Sequence, residues 1–230
     1  MFLPLHDQNP LRVIPLQVTT VALIALCTGV FLWQLGLSDA ALGLAHASYG
    51  MTPAVLLGHA EYRLDQALPH AAITPLTSLF LHGGWMHLIG NMAYLWVFGD
   101  NVEDAMGHVR FVFFYLICGC IASGAHALAE PQSMAPLIGA SGAVSGILGA
   151  YLLLHPRVKV LVLAFNRFPV HLPAYVLLVV WFGWQLWQGY ANPDGTVAWW
   201  AHIGGFVAGA VLIPAFKLRK VPLFDGTTVH

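Results

Sequence analysis

Residues 13–38, 66–99, 111–129, 131–156, 168–193 and 195–216 contain no Asp, Glu, Lys or Arg. Each can hold one helix of about 20 residues, enough at 1.5 Å per residue to cross ~30 Å of hydrocarbon. The pattern predicts an all-α polytopic membrane protein, a bundle of six transmembrane helices near 16–36, 85–99, 110–128, 140–155, 171–190 and 198–217. A long outer loop joins the first two. Residues 1–230 are read as a single membrane domain with no separate soluble domain. Only 8% of residues are charged, against about 25% in soluble domains. The first window is long, lacks a basic flank and shows no small-residue cleavage site, so it is not read as a cleavable signal. A net charge of −1 offers no basis for nucleic-acid binding. Cys27, Cys118 and Cys120 match neither a disulfide framework nor a metal-ligand spacing.

Basic residues orient the bundle. Arg12, Arg110, Arg157, Lys159, Arg167, Lys217, Arg219 and Lys220 fall on one face of a six-span arrangement, and Arg63 alone on the other. That bias predicts both termini in the cytoplasm. The second, fourth and sixth helices then run inward from the outer face.

Polar groups inside a span are costly and face the protein interior. Three clusters stand out. His87 and Asn91 in 82-HGGWMHLIGNM-92 are four apart and share a helix face, with His82 just ahead of them. Ser141 and Ser145 open the fourth helix, and His202 lies early in the sixth. All sit near the N-terminal ends of the three inward-running helices, so they should share one depth below the outer surface.

Small residues give a reason for two of these helices to touch. Ser141, Ser145 and Gly149 form one stripe; His202, Gly205 and Gly209 form another. Such stripes let backbones approach closely in membranes. Laid side by side, they pair Gly209 with Gly149, Gly205 with Ser145 and His202 with Ser141. A serine hydroxyl becomes a nucleophile when a base takes its proton, and an imidazole is the usual base. His87, Asn91 and the Ser141 backbone N–H can supply donors for an oxyanion. Gly139 permits the tight turn before the serine. The outer acids Asp39, Glu61, Asp65, Glu130 and Asp194 are all assigned to loops, so the reading is a Ser–His dyad. Asp194, just before the sixth helix, is the one candidate third member.

Plainer roles compete. Ser145 can simply bond back to a carbonyl, and His82 can fix a loop. Trp181, Trp184 and Trp187 can pack or anchor at the interface. Zinc held by His82, His87 and His202 would lack an HExxH pair or carboxylate ligand, so the expectation is no metal and no cofactor.

With these residues in place, the sequence resembles the rhomboid family of intramembrane serine proteases. Gly139-Ala140-Ser141-Gly142 resembles the family's GxSG motif. Ala201-His202, followed by Gly205 and Gly209, resembles its AHxxGxxxG helix. His82, His87 and Asn91 resemble its HxxxxHxxxN segment. Glu103, Gly107 and Arg110-Phe111 resemble its second-to-third helix connection. The resemblance covers roughly residues 70–215 and implies Ser141 as nucleophile, His202 as general base, and His87 and Asn91 as oxyanion donors. It also implies a six-helix bacterial form in an inner membrane and transmembrane protein substrates that unwind near their outer ends. Helix 5, with Trp184, would be a substrate gate. Two departures are visible. Ser145 stands where many rhomboids carry an aromatic residue packed on the histidine, and Ile73-Thr74-Pro75 stands where many carry a Trp-Arg pair. The rival functional readings are a catalytically inactive rhomboid-like escort of membrane clients and a small transporter.

Overall fold

The computed structural model describes residues 2–61, 70–164, 167–192 and 197–225. Arg63, Asp65 and Asp194 lie outside the described residues. Helices dominate: α1 (Val18–Leu35), α2 (Asp39–Tyr49), α3 (Pro53–Leu56), α4 (Thr74–Thr77), α5 (Trp85–Met106), α6 (His108–Ala129), α7 (Ser141–Leu154), α8 (Ala174–Ala191) and α9 (Trp199–Phe216). By length and composition α1, α6 and α9 are each long and apolar enough to cross a membrane, and α7 is a shorter apolar helix.

The all-helical expectation needs correction. Strands β1 (Phe2–Asp7), β2 (Lys159–Ala164) and β3 (Phe168–Pro173) form an antiparallel sheet in the order β1-β2-β3. Along β2, Val160 and Val162 are buried, the period-two pattern of a half-covered strand. Proline cannot donate to a ladder, so it is confined to edges. Pro4, Pro169 and Pro173 all fall on the two edge strands, and the central strand has none. The fifth predicted helix accordingly starts at Ala174 rather than 171.

The second predicted helix extends past the end of its charge-free window. It runs on from Gly99 through Asp100, Glu103 and Asp104 to Met106. These acids stop a charge-free window but not the helix, because the chain brings donors to them. Glu103 accepts from the N–H groups of Thr19 and Thr20 (2.9 and 2.8 Å) and from the Thr20 hydroxyl (2.7 Å). Those are orphan N–H groups of the first turn of α1, where the helix dipole favours an anion. Asp104 accepts from the N–H groups of Arg12, Val13 and Ile14 (3.0, 2.7 and 2.7 Å). Gly107 then turns the chain into α6 with φ +79°, in the left-handed region that suits glycine.

The chain's two end segments meet at this same side. The Tyr151 hydroxyl donates to Asp7 (2.5 Å), and Asn9 bonds to Asn101. Arg12 pairs with Asp225 (2.8 Å). The N–H groups of Phe224 and Asp225 donate to the carbonyls of Leu153 and Leu154 (2.6 and 2.8 Å), which the end of α7 leaves without helical donors.

At the other side, residues 36–84 are less of an open loop than expected. They carry α2, α3 and α4, with one-turn 3-10 helices at Ala71–Ile73 and Ser78–Phe80. Met51 exchanges two backbone hydrogen bonds with Leu137 (3.0 and 2.8 Å). The Thr77 hydroxyl donates to the Tyr49 carbonyl (2.6 Å). Gln34 on α1 clasps His82 from both sides: its Oε1 accepts the His82 N–H (3.0 Å) and its Nε2 donates to the His82 carbonyl (3.1 Å). These ties fasten the segment to α1 and to the turn ahead of α7.

Candidate functional site

The turn ahead of α7 rests on α5. Gly139 has φ +122°, a conformation in which side chains are strained, and its N–H donates to the Ser78 carbonyl at 2.9 Å. A Cβ on Gly139 would lie 2.6 Å from Nε2 of His87 and 3.8 Å from Nδ2 of Asn91. Two sequence-separated candidates are therefore in contact with the residue two before Ser141.

Hydrogen bonds fix the form of His87. The Gly83 N–H donates to its Nδ1 at 3.3 Å. A nitrogen that accepts carries the lone pair, so the neutral ring holds its proton on Nε2, the atom facing Gly139. Asn91 donates one amide proton to the His87 carbonyl (3.0 Å); a primary amide has a second. Ser141 is the first residue of α7, and the first backbone bond of this helix runs from the Val144 N–H to the Ala140 carbonyl. The N–H of Ser141 thus belongs to the set that a helix start leaves without intrahelical acceptors.

Helix α7 is wedged between α6 and α9. A Cβ on Gly205 or Gly209 would overlap the carbonyls of Gly142 or Gly146, and one on Gly149 would overlap that of Phe206. On the other flank, a Cβ on Gly142 would sit 2.6 Å from that of Ala122, and one on Gly146 2.5 Å from that of Cys118. Lipid is as apolar as leucine, so close packing rather than expulsion of water holds such helices together.

The expected register needs one correction. Gly205 meets Ser145, whose Cβ is 3.3 Å from the place a Gly205 side chain would take, but Gly209 faces Gly146 rather than Gly149. The contacting stripe on α7 is Gly142, Gly146 and Gly149. Spacing marks a face of a helix but not how far one helix is slid along its neighbour, and Gly209 sits three residues from the partner the stripes suggest. His202 and Ser141 each lie within one turn of the point where Gly205 abuts Gly142.

His202 is held from α8 and from its own helix. Its Nδ1 is 2.7 Å from Oε1 of Gln185, which is buried on α8. The Trp181 ring lies 6.1 Å from it at 31°, and the Trp199 ring 6.1 Å away at 89°. Ser145 takes the plainer of its two readings: it donates to the Ser141 carbonyl at 2.7 Å. His82 is buried, with its ring 5.3 Å from that of His87. Among the described residues no three His, Cys, Asp or Glu side chains gather as a metal-ligand set.

Residues 69–219 match the Rhomboid domain family. This chain belongs to the rhomboid family. Its relatives include Rhomboid protein 1, mitochondrial, of Saccharomyces cerevisiae, 33% identical over 143 residues that cover 60% of this chain and 40% of that protein. RHOMBOID-like protein 7 of Arabidopsis thaliana is 34% identical over 65% of this chain and 44% of its own length. Rhomboid protease GluP of Bacillus subtilis is 32% identical over 65% of this chain and 27% of its own length. The chain spans less than half the length of each of these relatives. Family membership and the long apolar helices point to an integral membrane protein.

In this rhomboid, several site neighbours escaped the sequence reading. Gln185 and Gln34 are uncharged polar residues inside apolar spans, and the rule that such groups face the interior would have found both. Gly83 and Ser78 act through backbone groups and have no sequence signature. Trp181, for which the sequence allows a packing or an interfacial role, packs on the histidine.

Proposed function

We propose that the protein is an intramembrane serine endopeptidase. The observation that carries this reading is the contact of Gly139 with the proton-bearing Nε2 of His87, which sets oxyanion donors beside the helix start that bears Ser141. The Ser141 hydroxyl attacks a substrate carbonyl. Nε2 of His202 takes its proton and then gives it to the leaving amine. His87 Nε2–H, an Asn91 amide proton and the Ser141 N–H hold the oxyanion. Water then releases the acyl-enzyme. No metal or organic cofactor takes part.

In this reading the whole chain is one membrane domain. Helices α1, α5, α6, α7, α8 and α9 cross the bilayer, with both termini in the cytoplasm as the basic residues favour. At 14 residues, α7 spans about 21 Å, well short of ~30 Å of hydrocarbon. It is buried along nearly its whole length, so Ser141 is recessed beneath the outer face. Irregular backbone at such depth needs protein cover or a watered cavity, and Met51 and Ser78 supply cover to residues 137–139. The exposed Trp184, Trp187 and Tyr190 of α8 suit a lipid-facing surface. Substrates are membrane proteins whose transmembrane segment unwinds near its outer end, because an intact helix hides its peptide bonds.

The test mixes detergent-purified protein and its Ser141→Ala variant with a fluorophosphonate probe and a single-pass membrane substrate. Labelling and fragmentation that both vanish in S141A support the reading. A folded wild type that neither labels nor cleaves overturns it in favour of a non-catalytic escort.

A further inference from the structure

The residue that many rhomboids use to pack the catalytic histidine is a serine here, and that serine bonds to its own helix (Ser145 to the Ser141 carbonyl). Another group has to determine how His202 presents its ring. An imidazole can serve as a base toward a hydroxyl only through a nitrogen that carries a lone pair, so both its rotation and its tautomer matter. The dyad reading supplies no carboxylate to fix either.

Helix α8 fills this role. Trp181 and Gln185 are four residues apart and so lie on one helix face. Both reach His202: Trp181 lies against the ring at 6.1 Å and a shallow 31°, and Gln185 meets its edge with Oε1 2.7 Å from Nδ1. A carbonyl oxygen only accepts, so Nδ1 must donate. The neutral ring then carries its proton on Nδ1 and its lone pair on Nε2. His87 shows the opposite arrangement, its Nδ1 accepting from the Gly83 N–H. The two histidines are thereby set as one acceptor and one donor. Gln185 is only 4% exposed, and a buried amide with no partner would carry a desolvation cost. The bond therefore holds the glutamine as firmly as it holds the histidine.

We propose that Gln185 is the positioning residue of His202, fixing the tautomer that leaves Nε2 as the base, with Trp181 holding the plane of the ring. The catalytic consequence rests on the serine-protease reading above; the tautomer itself does not.

Two variants and two readouts test this. Gln185→Met keeps the size and removes the acceptor, whereas Gln185→Glu keeps an acceptor. Nitrogen-15 spectra of histidine-labelled protein, with the His202 signals assigned by their loss in His202→Asn, should show wild-type His202 protonated on Nδ1. Q185M should shift it to the other tautomer or a mixture, and Q185E should retain it. Fluorophosphonate labelling and kcat should fall about 10- to 100-fold in Q185M, with KM changed less than about twofold, and recover in Q185E. A wild-type ring protonated on Nε2 overturns the proposal, as does a Q185M protein with wild-type spectra and rate. If wild type shows the Nδ1–H tautomer, loses it in Q185M and yet never labels, the positioning role stands and the protease reading fails.

Discussion

Gly139 and His87 are in contact so close that no side chain fits between them: a Cβ on Gly139 would stand 2.6 Å from the ring Nε2. The relationship joins the turn before Ser141 to α5, the helix that carries His87 and Asn91. Gly139→Ala would combine backbone strain of about 1–3 kcal/mol with displacement of the His87 ring. Misplacing a catalytic group by an ångström costs about 100-fold in rate. Labelling of Ser141 should drop by at least that factor while the circular dichroism spectrum stays helical. A G139A protein that labels at the wild-type rate would remove this contact from the proposed mechanism.

The seam between α7 and α9 should respond sharply to added volume. Gly209→Ala places a methyl group on the Gly146 carbonyl and should cost about 1–3 kcal/mol or more. Gly183→Ala meets nothing within 4 Å and should be neutral, or stabilising by up to about 1 kcal/mol through helix propensity. Unfolding in mixed detergent and SDS separates the two. Equal midpoints for both variants would show that the seam is looser than described.

Glu103 holds the start of α1 from a distance of more than 80 residues of sequence. Glu103→Ala should lower stability by about 1–3 kcal/mol, since it strands two helix-start N–H groups and a hydroxyl. Glu103→Gln, which keeps one acceptor, should fall between. The same unfolding assay reads this, and an E103Q protein less stable than E103A would contradict the capping role.

Asp7 makes the docking of β1 depend on pH. Burial pushes its carboxyl up from 3.8 to about 6, partly countered by the Tyr151 hydroxyl and by His6. The fold therefore prefers the protonated acid. Its contribution, about 3 kcal/mol for a shift of this size, is fully present below pH 4 and fades as pH rises through 6. Amide exchange of residues 3 and 5–7, corrected for its intrinsic pH dependence, should show protection falling between pH 5 and 7. Asp7→Asn should flatten that profile, and an unchanged slope in D7N would show that another group is responsible.

Much of the architecture was legible because lipid imposes a simple rule on sequence. Charge-free windows located α1, α6, α7 and α9 to within about two residues at each end. The same rule failed at Asp100, Glu103 and Asp104, where backbone donors from the N-terminal segment make acids acceptable inside a helix. It was also silent on β2, a short run whose strand partner β1 lies over 150 residues away, and it read the end of β3 into the fifth helix. At the candidate site, spacing brought out His87, Asn91, Ser141 and His202, which are rare polar groups at matching helix ends. Gln185 was overlooked because an amide in a tryptophan-rich span carries no charge to draw notice. The glycine seam is slid three residues, nearly one turn, from the predicted pairing of Gly209 with Gly149, because spacing fixes a helix face and not its axial register.

The absence of room for a Cβ at Gly205 and Gly209 against the carbonyls of α7 has a mechanical meaning. Two rods whose main chains touch cannot be prised apart by a guest peptide, nor can solvent file between them. Whatever yields to admit a guest must lie elsewhere, and Ser141 and His202 ride on a single stiff chassis.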